Sequence, residues 1–198
     1  MVLQKKDWID AGWLIMATKG VAAVKIEVLA RQLNVSKGSF YWHFKNRTEL
    51  LEAILQRWEN ETTRLIKESQ AAATPKAKLI KLFTLAEETC DRNTPDPETA
   101  ILLWANHDPM VQERVRIVEN KRVGYLKQLL EDYGFDEIEA RHKAEVAYFA
   151  WMGFWERTER DPQFDLSMKQ FNHFLLALLL SPVNYQSTQL AEIWASQN

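Results

Sequence analysis

Between residues 26 and 44 two short helical patterns are joined by only three residues, Asn34-Val35-Ser36. Ile26, Leu29, Ala30 and Leu33 recur at helical spacing before this turn. After it, Phe40 and Phe44 stand four apart, on one face of a helix that Ser36 is placed to cap. Two short helices across a turn of three or four residues make a helix-turn-helix. Residues 5–19 supply the helix that packs with them, through Trp8, Ala11, Gly12, Ile15 and Met16, and Gly20 stops it. Asn46 is a second cap, opening a long helix from Arg47 to about residue 73.

The rest of the chain repeats the helical pattern. Helices are expected over 76–90, 97–106, 109–133, 136–160 and 167–180, punctuated by Asn93-Thr94-Pro95-Asp96-Pro97, Asp108-Pro109, Gly134, Asp161-Pro162 and Ser181-Pro182. With six Gly and six Pro in 198 residues and little period-two alternation, the fold class is all-α. One cysteine, Cys90, excludes an intramolecular disulfide framework and any zinc site needing two thiolates. No signal peptide is readable, and the apolar run 174–180 is far short of the roughly 20 residues a membrane span requires. A soluble, cytoplasmic protein with no membrane partner is expected.

Charge is unevenly distributed. The net charge is -2, yet residues 1–50 hold eight Lys and Arg against four Asp and Glu, leaving 17 basic and 23 acidic residues in the remainder. A head of +4 on a body of -6 suggests a polyanion partner for the head alone. A helix starting at Lys37 leaves Lys37, Ser39, Tyr41, Trp42 and His43 around the face not used by Phe40 and Phe44. Cations, hydroxyls, an imidazole and two aromatic rings on one exposed face suit a DNA groove. Cations read guanine edges, hydroxyls and amides bind phosphate, and rings pack on sugars and thymine methyls. Gly38 removes a side chain where backbone and DNA would come closest.

These residues resemble the fingerprint of the TetR family of transcriptional regulators. The match reads Gly20, Leu29-Ala30, Leu33-Asn34-Val35-Ser36, Lys37-Gly38-Ser39-Phe40-Tyr41-Trp42-His43-Phe44, Arg47 and Leu50, and covers about residues 5–60. The resemblance implies a three-helix DNA-binding domain over 1–60, with its helix-turn-helix at about 25–44, and a helical effector-binding and dimerisation domain over 61–198. It further implies that Lys37, Gly38 and Ser39 lie at base-reading and close-approach positions. Tyr41 and His43 would contact backbone phosphate, Trp42 would pack or touch thymine, and Arg47 would anchor phosphate. The chain departs from the family pattern at four positions: Arg47 replaces a usual Lys, Lys25 a usual hydroxyl, Glu27 a frequent cation, and Gly12 a usual Ala. Lys25 is placed to reach a phosphate in place of capping.

In the second domain the resemblance is architectural only. Ala147 and Ala150 beside Phe154, and Phe171, Phe174, Leu175 and Leu178 at i, i+3, i+4 and i+7, are candidates for a four-helix homodimer interface. Packing within one subunit would explain the same stripes. Trp104, His107, Tyr125, Trp151 and Trp155 are candidates for an effector pocket, with Cys90 in register nearby, although aromatic positions on helices serve as core more often. The partners implied are a palindromic double-stranded DNA operator, a second copy of the chain and a small-molecule effector of unknown identity. A repressor is the favoured sign of regulation. A competing reading keeps DNA binding and gives the second domain a protein partner and no small molecule. A remote one is a di-iron helical-bundle enzyme, from Glu139-x-x-His142; its second Glu-x-x-His copy is missing, since Gln170 precedes His173 by three. Neither a nucleophile elbow nor a phosphate-binding glycine loop occurs. The expectation is therefore a non-enzymatic regulator without cofactor or metal.

Overall fold

The computed structural model describes residues 3–89, 96–161 and 163–182. Cys90, the first part of the Pro-rich break, Pro162 and the tail from residue 183 lie outside the described residues. Those described form nine α-helices and one 3₁₀ turn, and no strand occurs among them. The helices are α1 Lys5–Lys19, α2 Ile26–Gln32, α3 Lys37–Tyr41, α4 Arg47–Ser69, α5 Pro75–Thr89, α6 Glu98–Ala105, α7 Pro109–Tyr133, α8 Glu137–Arg160 and α9 Met168–Leu180; the 3₁₀ turn is Val21–Ala23. The all-α expectation holds, and most boundaries fall within two residues of those expected.

Local chemistry explains the boundaries. Gly20 ends α1 at φ 77°, and Gly134 ends α7 at φ 124°, both in a region costly for any residue with a Cβ. The Asn46 side chain accepts from the Glu49 amide, Asp136 from the Glu139 amide, and Ser167 forms a reciprocal box with Gln170. Pro75 occupies the first position of α5, where its fixed φ suits a helix start. Two ends differ from the sequence reading. α3 stops at Tyr41, three residues early, because after it the chain turns towards Asn46. α4 stops at Ser69, whose hydroxyl bonds the Ile66 carbonyl at 2.8 Å and the Tyr125 hydroxyl at 2.8 Å.

The chain packs as two units, Met1–Tyr125 and Leu126–Asn198. In the first, Trp8, Ile15, Met16, Leu29, Phe40, Phe44, Leu50, Ile54, Leu55 and Trp58 share one core that continues through Ile101, Ala105, Val111, Val115 and Val118. The rings of Trp8 and Phe40 meet edge to face at 5.3 Å, and Phe40 stacks on Phe44 at 5.4 Å, seating α3 on α1. Gly12 now has a packing reason: a Cβ there would stand 2.8 Å from the Ile54 Cδ1 methyl, so the glycine lets α1 lie close on α4.

In the second unit α8 and α9 pack through Phe154 and Phe171, whose rings stack at 4.3 Å. The Lys143 ammonium lies over the Phe135 ring and donates to the carbonyls of Leu178 (3.3 Å) and Ser181 (2.5 Å), which tethers the end of α9. No helix among the described residues is long and apolar enough to cross a membrane.

Candidate nucleic-acid interface

The three-residue turn expected between α2 and α3 is built around Asn34, at φ 54° the single non-glycine residue of positive φ among those described. Asparagine tolerates this conformation better than most residues. The amide of Val35 donates to the Ala30 carbonyl at 2.9 Å, closing α2 and redirecting the chain into α3. Ser36 stands at the cap position of α3 with extended backbone, but its side chain makes no capping bond; its carbonyl takes the Ser39 amide at 3.1 Å.

With Phe40 and Phe44 buried, the opposite surface is left to the residues singled out from sequence. Trp42 is 88% exposed and Tyr41 60%. Lys25, Lys37 and Gly38 are exposed, while Ser39 and His43 are half-buried. The fold imposes no need for glycine at position 38. A Cβ there would meet nothing nearer than the Ser36 hydroxyl at 3.6 Å, an ordinary contact, so the open space belongs to the outer surface. Lys25, at the cap position before α2, makes no side-chain cap, as the loss of the usual hydroxyl implies. Lys37 reaches back to α2, where its ammonium donates to Glu27 Oε1 at 2.8 Å. This hydrogen bond holds the Glu27 carboxyl below the usual carboxylate range.

Arg47 makes two long-range bonds within the chain. Its guanidinium, expected at a phosphate, donates from Nε to the Val24 carbonyl at 2.5 Å and from Nη2 to the Val21 carbonyl at 2.6 Å. A half-buried fork thus bolts the start of α4 to the turn that precedes α2, which is what Arg adds over the usual Lys. An Arg47→Gln chain is expected to lose about 1–3 kcal/mol of stability, with the salt dependence of DNA binding unchanged. A salt slope reduced by about one per subunit would return Arg47 to a phosphate.

A second cluster escaped the sequence reading. Glu98, buried at the start of α6, accepts from Trp58 Nε1 at 2.5 Å and from the Arg122 fork at 2.6 and 3.0 Å. Arg122 Nε also donates to the Thr62 hydroxyl at 3.1 Å. One carboxylate thereby joins α4, α6 and α7. The partners lie 40 and 24 residues away in sequence, so no local pattern announces the cluster.

The effector candidates are divided between the units. Trp104 donates to Asp108 Oδ2 at 3.2 Å, and Asp108 caps α7 through the Met110 and Val111 amides. His107 is exposed beside that cap. Tyr125 is spent on Ser69. In the other unit Trp151 and Trp155 stack with rings 3° from parallel, and the Trp155 indole N–H is buried with no hydrogen-bond partner among the described residues. The interface candidates divide as well. Ala147, Phe154 and Leu175 are buried within the single chain, and Phe171 stacks on Phe154, which joins α8 to α9. Ala150 is half-buried, and Phe174 and Leu178 are exposed. Glu139 lies 3.6 Å from the Lys143 ammonium, and no cluster of three or more metal-ligating side chains occurs among the described residues.

Comparison with known proteins agrees with this geometry. Residues 9–54 match the pattern described as bacterial regulatory proteins, tetR family. Over 47 residues the chain is 36% identical to the HTH-type transcriptional regulator SrpR of Pseudomonas putida, covering 24% of this chain and 22% of that one. The chain spans about a fifth to two-fifths of the length of the curated relatives it matches. Over about 90% of the chain the fold is similar to that of solved regulators. A TetR transcriptional regulator from Legionella pneumophila superposes with a TM-score of 0.74 at 16% identity, covering 90% of this chain and 98% of that one. AibR, solved with isovaleryl coenzyme A and operator DNA, superposes at 0.69 and 16% identity, covering 90% and 99%. The turn at Asn34 and the seating of Phe40 both lie inside the matched segment, and over residues 9–54 the chain is similar to the tetR family of bacterial regulatory proteins.

Proposed function

We propose that the chain is a homodimeric, sequence-specific DNA-binding regulator of transcription, more specifically a ligand-responsive repressor. Residues 1–60 serve as its reading head and 61–198 as its effector and dimerisation part. The observation that carries the DNA-binding role is the exposed surface of α3. Trp42, 88% exposed just past the end of α3, follows Lys37, an open Gly38 and Tyr41 on a helix positioned by the four residues 33–36 that join it to α2. In a major groove Lys37 and Ser39 face base edges, Trp42 packs on sugar or thymine methyl, and Tyr41, His43 and Lys25 meet phosphates. Labelled genomic fragments titrated with the protein test this. Binding that weakens linearly in log salt is expected, and binding no tighter than that of a non-DNA-binding control contradicts it.

Dimerisation is supported by a different set of side chains from the buried Ala147, Phe154 and Leu175. Val146 and Phe149 on α8, and Phe174 and Leu178 on α9, are 53–67% exposed. Such a stripe suits burial against a second copy in a two-fold interface. A Phe149→Asp chain is expected to sediment as a monomer with its own melting transition preserved. A dimer unchanged in sedimentation would move the interface elsewhere. For an effector, the supporting feature is the buried, unpartnered Trp155 N–H beside the Trp151 ring, a donor that a ligand acceptor would satisfy. AibR's coenzyme A complex is a property of that protein; here it lends weight only to a ligand-responsive class.

A further inference from the structure

The reading surface carries a carboxylate that a purely phosphate-seeking face would avoid. Glu27, in the first turn of α2, is exposed, and so is its partner Lys37, the first residue of α3. The 2.8 Å contact occupies one of the three N–H donors of the Lys37 ammonium. The other two remain directed by it. Around the pair, Lys25 stands two residues before Glu27 in sequence, and Tyr41 and Trp42 continue the surface from Lys37.

On the DNA-binding role proposed above, we infer that Glu27 is a positioning residue that withholds Lys37 from the phosphate backbone and reserves it for a base edge, so that it sets specificity. Two physical effects act together. A flexible lysine near DNA goes to the nearest phosphate, a contact that strengthens binding to every sequence. Bridged to Glu27, the ammonium keeps two donors for acceptors such as guanine O6 and N7, and the carboxylate itself repels phosphate. Lys37 then contributes to the chosen site and little to random duplex.

The test compares wild type, Glu27→Gln, Lys37→Gln and the double variant on two labelled duplexes, one enriched by selection with the wild-type protein and one of random sequence. Glu27→Gln is nearly isosteric at an exposed position, and an unchanged melting temperature serves as its folding check. It is expected to bind random duplex roughly 10- to 30-fold tighter, with a salt slope steeper by about two per dimer, one freed lysine in each subunit. The ratio of enriched to random affinity falls accordingly. Adding Lys37→Gln to the Glu27→Gln background removes this gain and returns the salt slope towards that of wild type. If Glu27→Gln leaves the random-duplex slope unchanged while wild type binds its enriched site, the positioning role is overturned and the DNA-binding role stands. If wild type retains no duplex at all, both fall together.

Discussion

A Glu98→Ala chain is expected to unfold at a midpoint roughly 6–20 °C below wild type, a larger loss of stability than Arg47→Gln brings. The carboxylate is buried and holds both arms of the Arg122 fork together with the Trp58 indole. Removing it strands a largely buried guanidinium and an indole N–H, and losing one partner of a buried pair costs about 3–5 kcal/mol. For a chain of this length each kcal/mol moves the midpoint by about 2–4 °C. Arg122 keeps the Thr62 hydroxyl and the face of Trp58, 5.4 Å away, so the loss stops short of unfolding the unit outright. The double variant Glu98→Ala, Arg122→Met should recover most of the loss, because the stranded charge is gone. A Glu98→Ala midpoint within about 2 °C of wild type would show that the cluster is not what joins α4 to α6 and α7.

Trp42→Ala carries the second large effect, on binding and not on folding. Its ring is 88% exposed, so truncation should leave the melting temperature unchanged within error. Covering an exposed aromatic ring against sugar or a thymine methyl is worth about 1–3 kcal/mol on the scale of apolar burial, and a dimer presents two copies. The loss is therefore about 2–6 kcal/mol, or roughly 30- to 10⁴-fold in affinity. Trp42 is a cleaner probe than Tyr41, whose ring packs edge-on against the buried Phe40 at 5.4 Å and so mixes binding with core packing. A Trp42→Ala protein that binds DNA with wild-type affinity would remove α3 from the DNA surface.

What the sequence makes legible follows from the range of the interactions. Caps, stops and turns act over three or four residues, and Gly20, Asn34, Asn46, Gly134, Asp136 and Ser167 all do in the structure what their local chemistry implies. The exposed α3 surface is equally local, since burying Phe40 and Phe44 leaves Tyr41 and Trp42 on the other side. Ser36 is the local exception, a cap residue whose hydroxyl is not used. Long-range pairings stay hidden. Nothing near Arg47 in sequence announces its bonds to the carbonyls of Val21 and Val24, 26 and 23 residues earlier. Glu98 is indistinguishable in sequence from any acidic residue in the first turn of a helix. In α8 apolar side chains occupy several faces, so periodicity alone could not separate Ala147 and Phe154, which face inward, from Val146 and Phe149, which face out.

Selection of bound duplexes from a randomised pool tests most directly whether α3 reads DNA as one of a symmetric pair. Enrichment of a single site is predicted, made of two inverted half-sites whose centres lie about 10 base pairs or a multiple of that apart, as two related reading helices require. The Trp42→Ala protein should lose that enrichment. A pool that emerges no different from the input, or a site retained equally by wild type and Trp42→Ala, would contradict it.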